Sequence, residues 1–137
     1  MDAPRRFDDV LEGDELPVLE MPLSKGQVRA YARAIDMDFA RFTDDEGARR
    51  EGLPGMIAPG NMTLGLLAVV VERWAGRDGL RRLGTTFRGF VLPDRTIRLC
   101  GAVTEKDEQA RTVELDLWIE NEEAERLVIG TATVTLA

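Results

Sequence analysis

Between residues 62 and 74 every side of a helical wheel carries an apolar residue: Met62, Leu64, Leu66, Leu67, Ala68, Val69, Val70, Val71 and Trp74. A helix apolar all round is a buried one, so the rest of the chain is expected to wrap around it. Pro59 and Gly60 mark its start, Asn61 is the expected cap, and Gly76 the stop, which predicts a central helix over about 60–75. Downstream the period changes to two. Val113, Leu115, Leu117 and Ile119 alternate with Glu114, Asp116, Trp118 and Glu120, the pattern of a sheet with one buried face. Strands are expected over 85–91, 96–104, 110–120 and 127–136, with a break at Leu92-Pro93-Asp94 and charged turns at 105–109 and 121–126.

Upstream, residues 7–15 read as a lead-in loop and 16–23 as a short strand, which Pro17 and Pro22 confine to a sheet edge. Ser24 and Gln27 have the spacing of a capping box, and Val28, Tyr31, Ala32 and Ile35 recur at helical spacing, which predicts a helix over 24–36. Residues 37–56 are polar and irregular, with a short helical turn over 44–51 and turn chemistry at Gly52-Leu53-Pro54-Gly55. So long a connection in a small domain is often functional. Closely spaced strands form an antiparallel meander. A meander around one apolar helix is the hotdog fold, of class α+β, and the chain is expected to form one such domain over 1–137.

Composition narrows the chemistry. A net charge of −7 argues against nucleic-acid or anionic-membrane partners. The apolar run is far short of the roughly 20 residues a membrane span needs. No apolar leader segment is visible near the start, and Cys100 is the single cysteine, so a reducing cytoplasm is the expected setting. Cys100 lies in an apolar alternating stretch and reads as a packed thiol. Zero histidines remove the usual general base near neutrality, the Ser-His-Asp and Cys-His arrangements and the commonest metal ligand. A zinc site is excluded on that count, and no phosphate-cradling glycine motif implies a cofactor. Chemistry must come from carboxylates, hydroxyls, arginine or backbone dipoles.

The stretches Ile35-Asp36-Met37-Asp38-Phe39-Ala40-Arg41 and Ile57-Ala58-Pro59-Gly60-Asn61-Met62 then become informative. They resemble the Gly-Asp-x-Asn-Pro-x-His and Ile-Ala-His-Gly-Met segments of the MaoC-like acyl-thioester dehydratases and hydratases. Phe90-Val91-Leu92-Pro93-Asp94 resembles that family's Pro-Val-x-Pro-Gly-Asp turn, and Gly130-Thr131-Ala132 its Gly-x-Ala. The resemblance implies a hotdog fold and, as ligand, an acyl-CoA or an acyl carrier protein thioester. It implies that Asp36 matches the catalytic Asp, and that the N–H of Gly60 receives the thioester carbonyl with Ala58, Pro59 and Asn61 around it. Two departures sit at the chemistry: Arg41 stands where the family has its catalytic His, and Pro59 replaces the second His.

A helix N-terminus suits an enolate-like oxygen, although Pro-Gly-Asn also simply starts a buried helix. Asp36 falls at a helix C-terminal end, where its charge opposes the macrodipole and where Gly or Asn serves better; Asp is also a common turn former. Arg41 stays protonated, so it shuttles no proton near neutrality. It serves either as a partner for Asp36 or a ligand group, or as a plain counter-ion for Asp38, Asp44 or Asp45. Three functions remain in play. One is a deficient subunit that pairs with an active partner; the expected assembly is a homodimer, or a heterodimer with a His-containing paralogue. The second is an enzyme using Asp36 with altered hydratase or thioesterase chemistry. The third is a non-catalytic binding or structural protein.

Overall fold

The computed structural model describes residues 5–137. Its elements are β1 (Leu19–Leu23), α1 (Lys25–Ala34), α2 (Ala40–Thr43), α3 (Asp45–Arg50), α4 (Gly60–Ala75), β2 (Leu80–Phe87), β3 (Arg95–Asp107), β4 (Thr112–Glu120) and β5 (Arg126–Thr135). One five-stranded antiparallel sheet runs in the order β1-β3-β4-β5-β2, with α4 packed on one face. This is the hotdog arrangement.

Alternation in β4 decides which face is wet. Val113, Leu115, Leu117 and Ile119 are all fully buried and point at α4, whose Leu67, Val70, Val71 and Trp74 meet them in one core. Each such side chain contributes about 1.5–3 kcal/mol by leaving water. The charged positions of the same strand lie on the outer face. There Arg98 bridges to Glu120 at 3.0 Å, and the Arg126 guanidinium stacks on Trp118 at 4.1 Å. Cys100 is buried beside them, and burial, then Glu120, pushes its thiol up from the usual range. It is a packed thiol, as its alternating context suggests.

Three expectations need correction. The central helix is not buried all round. Gly65, Val69, Glu72 and Arg73 face outward and Leu64, Leu66 and Ala68 are half-buried, because a single chain has only one sheet to lay against it. Second, the strand expected over 85–91 runs instead from Leu80 to Phe87. Gly76, at φ 93°, ends α4 so abruptly that a strand begins four residues later. Its other end is fixed by the Arg88 and Gly89 N–H groups, which both donate to the Leu127 carbonyl (2.8 and 3.0 Å). Only β3, β4 and β5 form a sequential meander, since residues 88–94 carry the chain across the sheet end and leave β2 on the far edge, paired with β5.

Third, the 37–56 connection is more ordered than its polarity suggests. It holds two short helices, α3 at the expected place with Asp44 as its N-cap and α2 unforeseen. The capping box at Ser24 and Gln27 forms as expected, and α1 ends at Ala34 rather than 36. The lead-in contains a single 3-10 turn, Phe7–Asp9, whose Phe7 is fully buried under the Lys106 ammonium (4.2 Å) and the Arg111 guanidinium (4.8 Å).

Candidate functional site

The start of α4 is held by three successive amides. Met56 N–H donates to Asp45 Oδ1 (3.0 Å), Ile57 N–H to the Arg41 carbonyl (2.9 Å) and Ala58 N–H to the Val91 carbonyl (2.9 Å). The first of these anchors depends on an ion pair. Lys25 Nζ lies 2.7 Å from Asp45 and 3.7 Å from Asp94, which clips α1, α3 and the 92–94 turn together. Lys25 and then the Met56 N–H hold the Asp45 carboxyl below its ordinary range, while Asp45 holds the Lys25 ammonium above its own.

From this base the chain turns at Pro59 and enters the helix at Gly60. Pro59 is the N-cap residue, and no side chain caps the helix. Its carbonyl accepts from Met62 and Thr63 N–H, whereas no acceptor meets the Gly60 or Asn61 N–H among the described residues. Thr63, fully buried, donates its hydroxyl to the Gly60 carbonyl at 2.7 Å and so stiffens this first turn. The expectation that Asn61 caps the helix is therefore wrong. Residue 61 lies inside the first turn, and its exposed amide donates to Met37 Sδ at 3.8 Å.

That contact brings the end of α1 to the start of α4. Asp36 itself sits at φ 56°, left-handed, as the residue that closes α1: its N–H donates to the Arg33 carbonyl (3.2 Å) and Met37 N–H to the Ala32 carbonyl (2.8 Å). This is the reciprocal pair of a Schellman stop, where glycine is preferred because it has no Cβ to clash. Asp36 is thus exposed and doubly out of place, by backbone and by charge against the helix macrodipole. Asp36→Gly is expected to raise stability by about 1 kcal/mol. A denaturant midpoint for Asp36→Gly no higher than wild type would mean that the strain is absent.

Arg41 does not pair with Asp36, nor with Asp38, Asp44 or Asp45, the counter-ions its sequence neighbourhood suggests. Its guanidinium turns to Glu51, with Nε 3.2 Å from Oε2 and Nη2 3.4 Å from Oε1. Glu51 became its partner because α3 folds back toward α2, a pairing that no local spacing announces.

Gly60 has a second explanation besides ligand chemistry. A Cβ built there would lie 2.6 Å from the ring tip of Phe87, the last residue of β2. The glycine makes room for that ring. Sequence reasoning missed Phe87 altogether, for it belongs to a different element and nothing in the strand pattern announces a reach to residue 60.

Comparison with known proteins follows the same lines. A family model described as "MaoC like domain" matches residues 9–123. Among solved structures, one named as a MaoC-like dehydratase is 28% identical with a TM-score of 0.91, covering 98% of this chain and 43% of that one, so this chain spans less than half of it. The (R)-hydratase from A. caviae involved in PHA biosynthesis is 17% identical with a TM-score of 0.85, covering 93% of this chain and 98% of that one. A chain of the ChsH1–ChsH2 complex from Mycobacterium tuberculosis is 18% identical with a TM-score of 0.84, over 93% and 98%. At identities this low the last two speak for the fold alone. No curated protein matches the chain by sequence.

Proposed function

The chain belongs to the MaoC-like domain family, and on that premise we propose that it binds acyl thioesters at the start of α4 while having little or no hydratase or dehydratase activity of its own. The observation that carries this reading is the fate of position 41. A chain with no histidine has an arginine there, and that arginine is ion-paired to Glu51. Adding water across a 2-enoyl thioester takes a proton from water and delivers one to carbon 2. A positioned acid–base group contributes about 10²–10⁴ in rate, and guanidinium supplies none of it at neutrality.

What the chain keeps is the binding half of such a site. The N–H groups of Gly60 and Asn61 present the positive end of a 16-residue helix to a thioester carbonyl, with Ala58 and Pro59 leading in and the Asp36 segment alongside. The acyl group arrives on CoA or on an acyl carrier protein. We further propose that the chain pairs, either with a second copy or with a His-containing paralogue, and that only the paralogue would supply the missing acid–base group. The outward side of α4 and the free edge of β2 support a partner, since both leave apolar or unpaired backbone groups in water. No described helix is long and apolar enough to cross a membrane, and the unpaired Cys100 suits a reducing cytoplasm.

The test uses the purified chain with crotonyl-CoA. Calorimetry is expected to show binding, and a hydration assay turnover at background. Robust turnover by the lone chain that disappears in Asp36→Ala would overturn the reading in favour of an enzyme working through Asp36 alone.

A further inference from the structure

We propose that Phe87 is a specificity-determining residue of the α4 site, its ring closing the room beside Gly60 that the first carbons of an acyl chain would take. This rests on the thioester reading above. A carbonyl oxygen bonded to the Gly60 N–H brings the carbon next to that carbonyl within van der Waals distance of the first helical turn. The Phe87 ring borders that space: its Cζ, Cε2 and Cε1 all come within 3.0 Å of the point where a Cβ on Gly60 would stand.

The ring is also placed to move. Phe87 is the last residue of β2, an edge strand with β5 on one side only, and it is 55% exposed. A ring sealed into the core would be part of the scaffold, whereas one more than half in water has little packing to lose when it swings. The surroundings show what such a movement would admit. Of the five phenylalanines, Phe39, Phe87 and Phe90 are each more than half exposed. Phe39 lies two residues before Arg41, whose carbonyl takes the Ile57 N–H, and Phe90 lies next to Val91, whose carbonyl takes the Ala58 N–H. Both segments flanking the entry to α4 therefore present an aromatic ring to solvent, and Phe87 stands at the entry itself. Exposed aromatic rings on the segments that lead into one helix start suit an apolar ligand. The geometry makes the Phe87 ring the element that sets how readily, and for what acyl size, the entry opens.

The experiment measures calorimetric affinity for acetyl-CoA, butyryl-CoA and free CoA in the wild-type chain, Phe87→Ala, Phe87→Leu and Phe87→Trp. Phe87→Leu keeps a β-strand apolar side chain while shortening its reach, so it separates lost bulk from lost folding; circular dichroism checks each variant. Alanine and leucine are expected to bind butyryl-CoA at least about tenfold tighter than wild type, about 1.4 kcal/mol by the affinity relation. Acetyl-CoA should gain less, free CoA should not change, and tryptophan should weaken butyryl-CoA binding. Equal butyryl-CoA affinity in all four chains overturns the role of Phe87 and leaves the thioester reading standing. If folded variants with the ring removed bind neither thioester, the thioester reading falls and the role of Phe87 falls with it.

Discussion

Arg41→His is expected to raise hydration of crotonyl-CoA by about 10²- to 10⁴-fold over the wild-type chain. The main chain at position 41 is already fixed relative to the helix start, since the Arg41 carbonyl accepts the Ile57 N–H at 2.9 Å, three residues before Gly60. What is wrong at this position is therefore the side chain's chemistry. A guanidinium does not exchange protons usefully at pH 7, whereas a free imidazole titrates at about 6.5. Removing the arginine sacrifices a half-exposed ion pair with Glu51, which is worth only about 0–1 kcal/mol. The gained activity should rise with pH through the imidazole range, because the neutral ring is the base, and should vanish when Asp36→Asn is added. An Arg41→His chain that folds, binds crotonyl-CoA and stays inert would show that position 41 does not face the bound thioester.

The parts of this molecule legible in its sequence are those decided by nearest neighbours along the chain. Ser24 and Gln27 announce their capping box, Gly76 its helix stop, and Val113 to Ile119 the buried face of β4, because capping, left-handed stops and pleating are local. The hotdog class followed from one apolar helix plus that alternation. Long-range placement was not legible. The crossing at 88–94 that sends β2 to the far edge depends on Leu127 accepting two amides from a segment remote in sequence. The same holds at the site. Asp36, Gly60 and their family context could be read from motifs, but the Arg41–Glu51 pair and the Phe87 ring against Gly60 join elements whose spacing carries no signal. Reading Asn61 as the cap failed for a local reason: with Pro59 already at the N-cap, the asparagine falls two positions later, inside the first turn, and is not placed to accept from the N–H groups of that turn.

Gly130→Ala is expected to destabilise the fold by about 3 kcal/mol, a loss measurable as a lower denaturant midpoint. The same change at an unstrained, unhindered glycine usually stabilises by about 0.4–1 kcal/mol, through a less flexible unfolded chain. Gly130 is not among the left-handed residues, so its cost is purely steric. A Cβ there would stand 2.6 Å from the Gly84 carbonyl oxygen and 3.2 Å from Thr85 Cγ2, on the strand it pairs with. A clash with backbone cannot be relieved by turning a side chain, so β2 must move off β5. Gly84→Ala is the matched control: a Cβ at 84 meets nothing within 4 Å, and the midpoint should hold or rise slightly. The consequence reaches the site, because β2 ends in Phe87. A strand pushed outward by Gly130→Ala takes the ring away from Gly60, so the least stable of these chains should also be the one whose α4 entry stands most open to butyryl-CoA. Equal midpoints for the two alanine variants would mean that the β2–β5 contact is looser than its geometry states, and Phe87 would then lose the rigid strand that holds it over the helix.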